Sequence, residues 1–132
     1  MYISQKTTLT TNCPFMKNTI TIIYPADFTY MYNINSDNCH DDILFDIFNE
    51  WNDGSGCECE VFKNFRVRSM SVGDVVGINS HWYQCMPIGW KKISVAEVLQ
   101  LETDVQNHPL YKQGPWFALK RVLEENNLLV EI

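Results

Sequence analysis

The pattern of apolar and polar positions first predicts two β-strands. Every residue of Thr19–Tyr24 is β-branched or aromatic, which is typical of a strand, and Pro25 ends the run. Apolar and polar side chains alternate along Phe28–Ile34, as they do in a half-buried strand. Because only Pro25–Asp27 separates the two runs, we expect a hairpin or a short loop between them.

The clearest helix follows these strands. Its apolar positions recur at the spacing of one helix face: Ile43, Leu44, Ile47, Phe48 and Trp51. Carboxylates recur at successive turns on the opposite side: Asp42, Asp46, Glu50 and Asp53. The sequence Asp-Gly-Ser-Gly at residues 53–56 then ends the helix and begins a loop.

The rest of the chain predicts a small sheet followed by two helices. Short strands are expected at Val61–Val67, Val75–Ile78, His81–Met86 and Gly89–Ile93. Ser94 and Glu97 have the spacing of a capping box, so we expect a helix from there to about Val105. Pro115 is expected in the first turn of the last helix, and Leu128–Ile132 in a final strand.

Together these elements predict one α+β domain. Its strands would form a small, bent, barrel-like antiparallel sheet, with one amphipathic helix packed on it and a C-terminal pair of helices. A chain of 132 residues can build one hydrophobic core of its own. We expect residues 16–132 to form this domain, and the polar, Thr-rich residues 1–15 to be a flexible arm or an additional edge strand.

Charge and composition narrow the functional classes. The formal net charge of −6 argues against nucleic-acid binding, since phosphate contacts made by Lys and Arg supply most of that affinity. The apolar runs are far shorter than a membrane span requires, and the N-terminal residues do not resemble a secretory signal. We therefore expect a cytoplasmic protein, in which the five cysteines are free thiols.

One stretch of the sequence resembles a signature of small uncharacterised proteins found on plasmids and phages. It comprises residues 68–76 (Arg-Ser-Met-Ser-Val-Gly-Asp-Val-Val), then Tyr83 and Cys85, then residues 89–93 (Gly-Trp-Lys-Lys-Ile). YodL-like domains have a similar arrangement, and the resemblance covers about residues 16–93. It implies that the gene belongs to a mobile element, a setting in which small acidic proteins often inhibit host defences, as anti-CRISPR proteins do.

The leading functional hypothesis is a non-enzymatic, protein-binding factor that inhibits a nucleic-acid-targeting defence complex of the host. Its partner would be a host protein or ribonucleoprotein complex with a basic groove. Carboxylates repeated along one helix face could replace a row of phosphates in that groove. The residues concerned are Asp42, Asp46, Glu50 and Asp53. An ordinary solvated helix face explains the same pattern, because repulsion costs only about 0.2–0.5 kcal/mol per pair.

The alternative hypothesis is an accessory protein that binds nucleic acid directly. Basic residues lie next to aromatic ones on the predicted sheet: Arg66, Arg68, Lys91 and Lys92. A curved sheet with basic and aromatic side chains is suited to single-stranded nucleic acid. The same charges are also what an edge strand uses to prevent aggregation.

Metal binding and catalysis have weaker support in the sequence. Four residues with zinc-binding chemistry occur in one region: Cys39, His40, Cys57 and Cys59. Structural zinc sites usually place their paired cysteines further apart than Cys57 and Cys59, so we expect free thiols here. No motif joins a cysteine to a histidine for nucleophilic catalysis. We therefore expect no metal, no cofactor and no enzymatic activity.

Overall fold

A computed structural model describes residues 17–126 of the chain. The strands are β1 (Lys17–Tyr24), β2 (Phe28–Asn35), β3 (Val75–Ile78), β4 (His81–Cys85) and β5 (Trp90–Ile93). The helices are α1 (His40–Glu50), α2 (Glu60–Phe65), α3 (Val95–Asn107) and α4 (Pro115–Glu125), with a short 3-10 helix at Pro109–Gln113. The predicted arm at residues 1–15 and the predicted strand Leu128–Ile132 lie outside the described residues.

The five strands form one antiparallel sheet in the order β2-β1-β3-β4-β5. The predicted hairpin is confirmed, since β1 and β2 pair from Lys17 opposite Asn35 to Tyr24 opposite Phe28. The predicted α+β class is also confirmed, but the sheet is open and not barrel-like. A small barrel encloses only one face of its sheet, whereas β3 buries side chains on both faces and needs helices on each.

Two hydrophobic cores hold the helices against the two faces. On the first face, α1 and α2 cover side chains of β1 and β3: Ile20, Ile22, Tyr24, Val76 and Ile78. On the second face, α3 and α4 cover the alternate residues: Ile23, Val75 and Ile93. Successive side chains of a strand point to opposite faces, which explains why neighbouring residues belong to different cores. The described residues thus form three layers, with the sheet in the middle.

The strand predicted at Val61–Val67 is wrong, since helix α2 occupies most of these positions. Its apolar residues Val61, Phe62 and Phe65 also fit the spacing of a helix face, and so short a run cannot distinguish the two periods. Cys59 is the N-cap residue, and Arg66 ends the helix in the left-handed conformation with φ of 55°.

The starts of the two C-terminal helices agree with the sequence. Ser94 Oγ accepts a hydrogen bond from Glu97 N at 3.1 Å, and Glu97 Oε1 accepts one from Ser94 N at 2.8 Å. This is the predicted capping box, which satisfies two backbone donors at the start of α3. Pro115 occupies the first turn of α4, where its missing N–H leaves no helical acceptor unsatisfied.

The signature segment 68–76 is an architectural element between the two cores. Arg68 donates to both carboxylate oxygens of the buried Asp74, at 2.7 and 2.8 Å, and Ser71 N donates to the same carboxylate at 2.8 Å. The guanidinium also lies over the ring of Tyr24, 4.2 Å from its centre. Burial opposes the charge of Arg68, but its hydrogen bonds to Asp74 outweigh that effect and raise its pKa. Burial also raises the pKa of Asp74 despite these bonds, so the pair offsets the cost of burying the two charges, and removing either partner would leave the other uncompensated.

Candidate protein-binding surface

Helix α1 packs across the first face of the sheet and has one buried side and one exposed side. Its buried side consists of Ile43, Leu44 and Ile47, and Trp51 follows at its C-cap. The helix begins without a side-chain cap, but Asp41 and Asp42 in its first turn interact favourably with the helix dipole. Its last turn contains no basic residue, so nothing there offsets the negative end of the dipole.

Three of the four predicted acidic residues lie along one flank of α1. Asp42, Asp46 and Glu50 are spaced by four residues, so they follow one another along the helix, and we call them the acidic row. Asp46 and Glu50 line a groove of about 270 Å³ whose other wall is formed by Tyr32 and Ile34 of β2. The row therefore borders the β2 edge of the sheet.

Asp53 does not belong to the acidic row. Helix α1 ends at Glu50, so Asp53 lies beyond the helix and the helical spacing does not determine its position. Asp53 lies instead beside a second depression, together with Lys63 and Arg66. It therefore shares a depression with basic residues, unlike the row, although no ion pair within residues 17–126 joins it to them.

The charge of the acidic row has no counter-ion within residues 17–126. The ion pairs found there join other residues: Lys63–Glu60, Arg68–Asp74, His108–Glu125 and Arg121–Glu124. Burial and the charge of Asp46 raise the pKa of Glu50, so its ionised form is less favourable here than in water. A positively charged partner would relieve this repulsion.

Two aromatic side chains add apolar area to the same helix. Phe45 is 67% exposed and lies one turn from Asp41 and Asp42, so carboxylates adjoin it. Phe48, which the sequence assigned to the buried stripe, is exposed at the stripe's margin and meets Trp90 of β5 edge-on, with ring centres 6.5 Å apart. Phe48 therefore lies on the flank of α1 that faces β5, away from the acidic row, and we call the acidic row together with Phe45 the α1 surface.

Phe45 is the residue of this surface that the sequence analysis missed. It falls outside the apolar stripe of α1 and on the polar side of the helix. A large aromatic residue at such a position exposes apolar area that a partner could cover, and Tyr, Trp and Phe are enriched in protein interfaces. The helical period of the sequence was therefore sufficient to place Phe45 on the exposed side of α1.

A histidine attaches the start of α1 to the sheet. His40 Nδ1 lies 2.6 Å from the hydroxyl of Tyr83 in β4, and the rings of His40 and His81 are 5.3 Å apart. Burial, followed by the nearby charges of His81 and Lys92, lowers the pKa of His40 and favours its neutral form. Within residues 17–126 no group of three or more His, Cys, Asp or Glu is placed to hold a metal ion.

The structure does not bring the four predicted nucleic-acid-binding residues together. Arg68 is engaged with Asp74. Lys91 and Lys92 are neighbours in β5 and therefore point to opposite faces of the sheet. Arg66 lies at the end of α2, beside Asp53. Arg66 and Arg68 line one depression, but within the described residues no surface combines all four.

The comparisons with known proteins give no indication of function, so the α1 surface is the main structural basis for a functional proposal. No family model, curated protein or solved structure matches the chain. The resemblance of residues 68–93 to plasmid and phage proteins therefore stays a prediction. None of the helices in the described part of the chain combines the length and apolar character that crossing a membrane requires.

Proposed function

We propose that the protein is a non-enzymatic binding factor whose α1 surface contacts a basic, partly apolar surface of another protein. The observation that supports this most strongly is the exposed ring of Phe45 beside carboxylates that have no counter-ion within residues 17–126. Aromatic side chains surrounded by polar groups supply much of the binding energy of protein interfaces. Uncompensated carboxylates add electrostatic steering toward a basic partner.

In its specific form, the proposal makes this partner a nucleic-acid-targeting defence complex of the host of a mobile element, which the protein inhibits. The carboxylates of the acidic row recur about every 6 Å along the helix. They would neutralise Lys and Arg side chains that otherwise hold a nucleic-acid backbone. The net charge of −6 and the resemblance to proteins of mobile elements support this choice of partner.

The test compares the wild type with a variant whose acidic row has reversed charge. Asp46→Lys and Glu50→Lys are combined in one chain, and each protein is used to capture partners from nuclease-treated lysate of the natural host. The control combines Glu124→Lys and Glu125→Lys, which make the same change in net charge on α4, across the sheet from α1. The side chains of both acids are more than half exposed, and ion pairs made by such exposed carboxylates contribute little to stability.

The proposal expects one protein complex to bind the wild type and the control, and to be lost from the row variant. It also expects the amount captured from the wild type to fall between low and moderate salt, because exposed charges are screened. Equal capture by all three proteins would contradict the role of the acidic row. Recovery of nucleic acid alone, from samples without nuclease, would favour direct nucleic-acid binding instead.

A further inference from the structure

The two edges of the sheet differ in how they are protected. Strand β5 is four residues long and carries Lys91 and Lys92. Strand β2 is eight residues long and contains no charged residue and no proline. Its pairing with β1 is continuous over the whole strand, so no bulge bends it. Short length, lysines, prolines and bulges are the means by which proteins prevent edge pairing, and β2 has none of them.

The outer edge of β2 is open within residues 17–126, where the strand pairs only with β1. Each unpaired edge residue leaves backbone hydrogen-bonding groups that can join another strand. The sequence of β2, Phe-Thr-Tyr-Met-Tyr-Asn-Ile-Asn, is rich in residues that favour strands. Eight residues extend about 27 Å, so a second strand could form backbone hydrogen bonds along the whole length of β2.

Apolar side chains are exposed on both faces at this edge. On the first face, the ring of Phe65 packs on Phe28 and Tyr30, with ring centres 5.4 and 5.5 Å apart, yet the residue stays 53% exposed. On the second face, Met31 of β2 is 62% exposed. A strand added next to β2 would place its own side chains beside both residues.

We propose that β2 pairs in antiparallel fashion with β2 of a second copy of this chain. A twofold axis perpendicular to the sheet keeps each face on its own side. The row of Phe28, Tyr30, Tyr32 and Ile34 therefore continues into the same row of the second copy. An uncharged strand also meets an uncharged strand. The edge of the second copy is identical, so its length and lack of charge match those of β2. The pairing would join the two sheets into one continuous sheet.

The charges near this edge predict how the dimer responds to salt. Asp46 and Glu50 line the groove beside Tyr32 and Ile34, so the acidic rows of two copies approach the shared seam. Their repulsion opposes pairing and is screened by salt. Dimerisation is therefore expected to strengthen with ionic strength, whereas the partner contact of the α1 surface is expected to weaken. The two proposals can fail separately.

Sedimentation equilibrium of the full chain, over a range of concentrations at low and high salt, tests the dimer. Met31→Lys places a charge on the edge strand and is expected to weaken dimerisation about tenfold or more. Leu99→Lys is the matched control, because Leu99 is 60% exposed on α3 and the charge added is the same. Both variants replace exposed side chains, so thermal unfolding should show that each protein remains folded.

The expected result is a dimer for the wild type and for Leu99→Lys, with a clear loss for Met31→Lys. A wild type that is monomeric at every concentration and salt would overturn the proposal. If hydrogen exchange then showed protection of the β2 amides that do not bond to β1, the edge would be covered by another segment of the same chain. Equal weakening by both lysines would place the dimer contact elsewhere.

Discussion

Two groups of charged residues lie on the first face of the sheet, and their surroundings differ completely. Asp74 is buried, and Arg68 and a backbone N–H satisfy its carboxylate. Asp42 and Asp46 are exposed and have no ion-pair partner within residues 17–126. A paired, buried charge stabilises one conformation of the chain, whereas an unpaired, exposed charge is free for a partner. The comparison separates residues for folding from candidates for binding.

Removal of the buried carboxylate should have the largest effect on stability. Asp74→Ala leaves Arg68 without its partner, in a partly buried position against Tyr24. The free energy of unfolding should fall by about 3–5 kcal/mol. Urea denaturation measures this change, with Asp46→Ala as control, which should leave stability within about 0.5 kcal/mol of the wild type. A small effect at Asp74 would remove the distinction between the two groups.

The turn before Asp74 should be the next most sensitive position. Gly73 has φ of 99°, and a Cβ there would lie 2.6 Å from Leu123 Cδ1 in α4. Gly73→Ala combines backbone strain with a clash and should cost about 2–4 kcal/mol. Gly89→Ala is the control, because its φ is 73° but nothing lies within 4 Å of its Cβ. Equal losses for the two variants would attribute the effect to strain alone.

At the α1 surface, the comparison predicts loss of binding without loss of stability. Phe45→Ala removes an exposed ring, so the melting temperature should stay within about 2 °C of the wild type. Affinity for the captured partner should fall about tenfold or more if the ring is an interface anchor. Titration of the purified partner measures this change, with Phe117→Ala on α4 as the control, because Phe117 is also more than half exposed. Unchanged affinity would exclude Phe45 from the interface.

The smallest effect concerns the pH dependence of the acidic row. Burial and Asp46 raise the pKa of Glu50 in the folded state, so the folded protein binds this proton more readily than the unfolded chain. Ionised Glu50 therefore destabilises the fold at neutral pH, and less so as the pH falls through its raised pKa. Glu50→Gln should raise the melting temperature slightly at pH 7, and the gain should vanish in acid. A gain that persisted in acid would have another cause.

Local patterns in the sequence were sufficient for much of the fold. The β-branched and aromatic run at Thr19–Tyr24 predicts β1 by residue type alone, and the alternation after Pro25 predicts β2 by its period of two. The capping box at Ser94 and Glu97 predicts the start of α3, since its two hydrogen bonds join residues only three apart.

Features that depend on distant residues were not predictable in the same way. Helix α2 was mistaken for a strand because its apolar run fits both periods, and only its packing on Trp51 and β2 decides between them. Arg68 was assigned to a binding surface because nothing in its immediate neighbours shows that Asp74 is buried. Asp53 was assigned to the acidic row because the period was continued past the end of α1.

The α1 surface was therefore predicted in part. The acidic row follows from a simple helical period, but its lack of counter-ions depends on where every basic side chain lies in the fold. The partial exposure of Phe48 beside Trp90 of β5 likewise depends on contacts between residues distant in the sequence, which only the tertiary structure shows. Periodicity assigns a residue to a side of a helix, and packing decides how much of that side is covered.

The most direct test of the central claim measures partner capture and thermal stability together for the variant with Asp46→Lys and Glu50→Lys. The account predicts that the protein partner is lost while the melting temperature stays the same or rises, because repulsion within the row is relieved. The control with Glu124→Lys and Glu125→Lys should retain the partner. Full capture by the row variant would contradict the account, as would a loss of capture that follows a loss of fold.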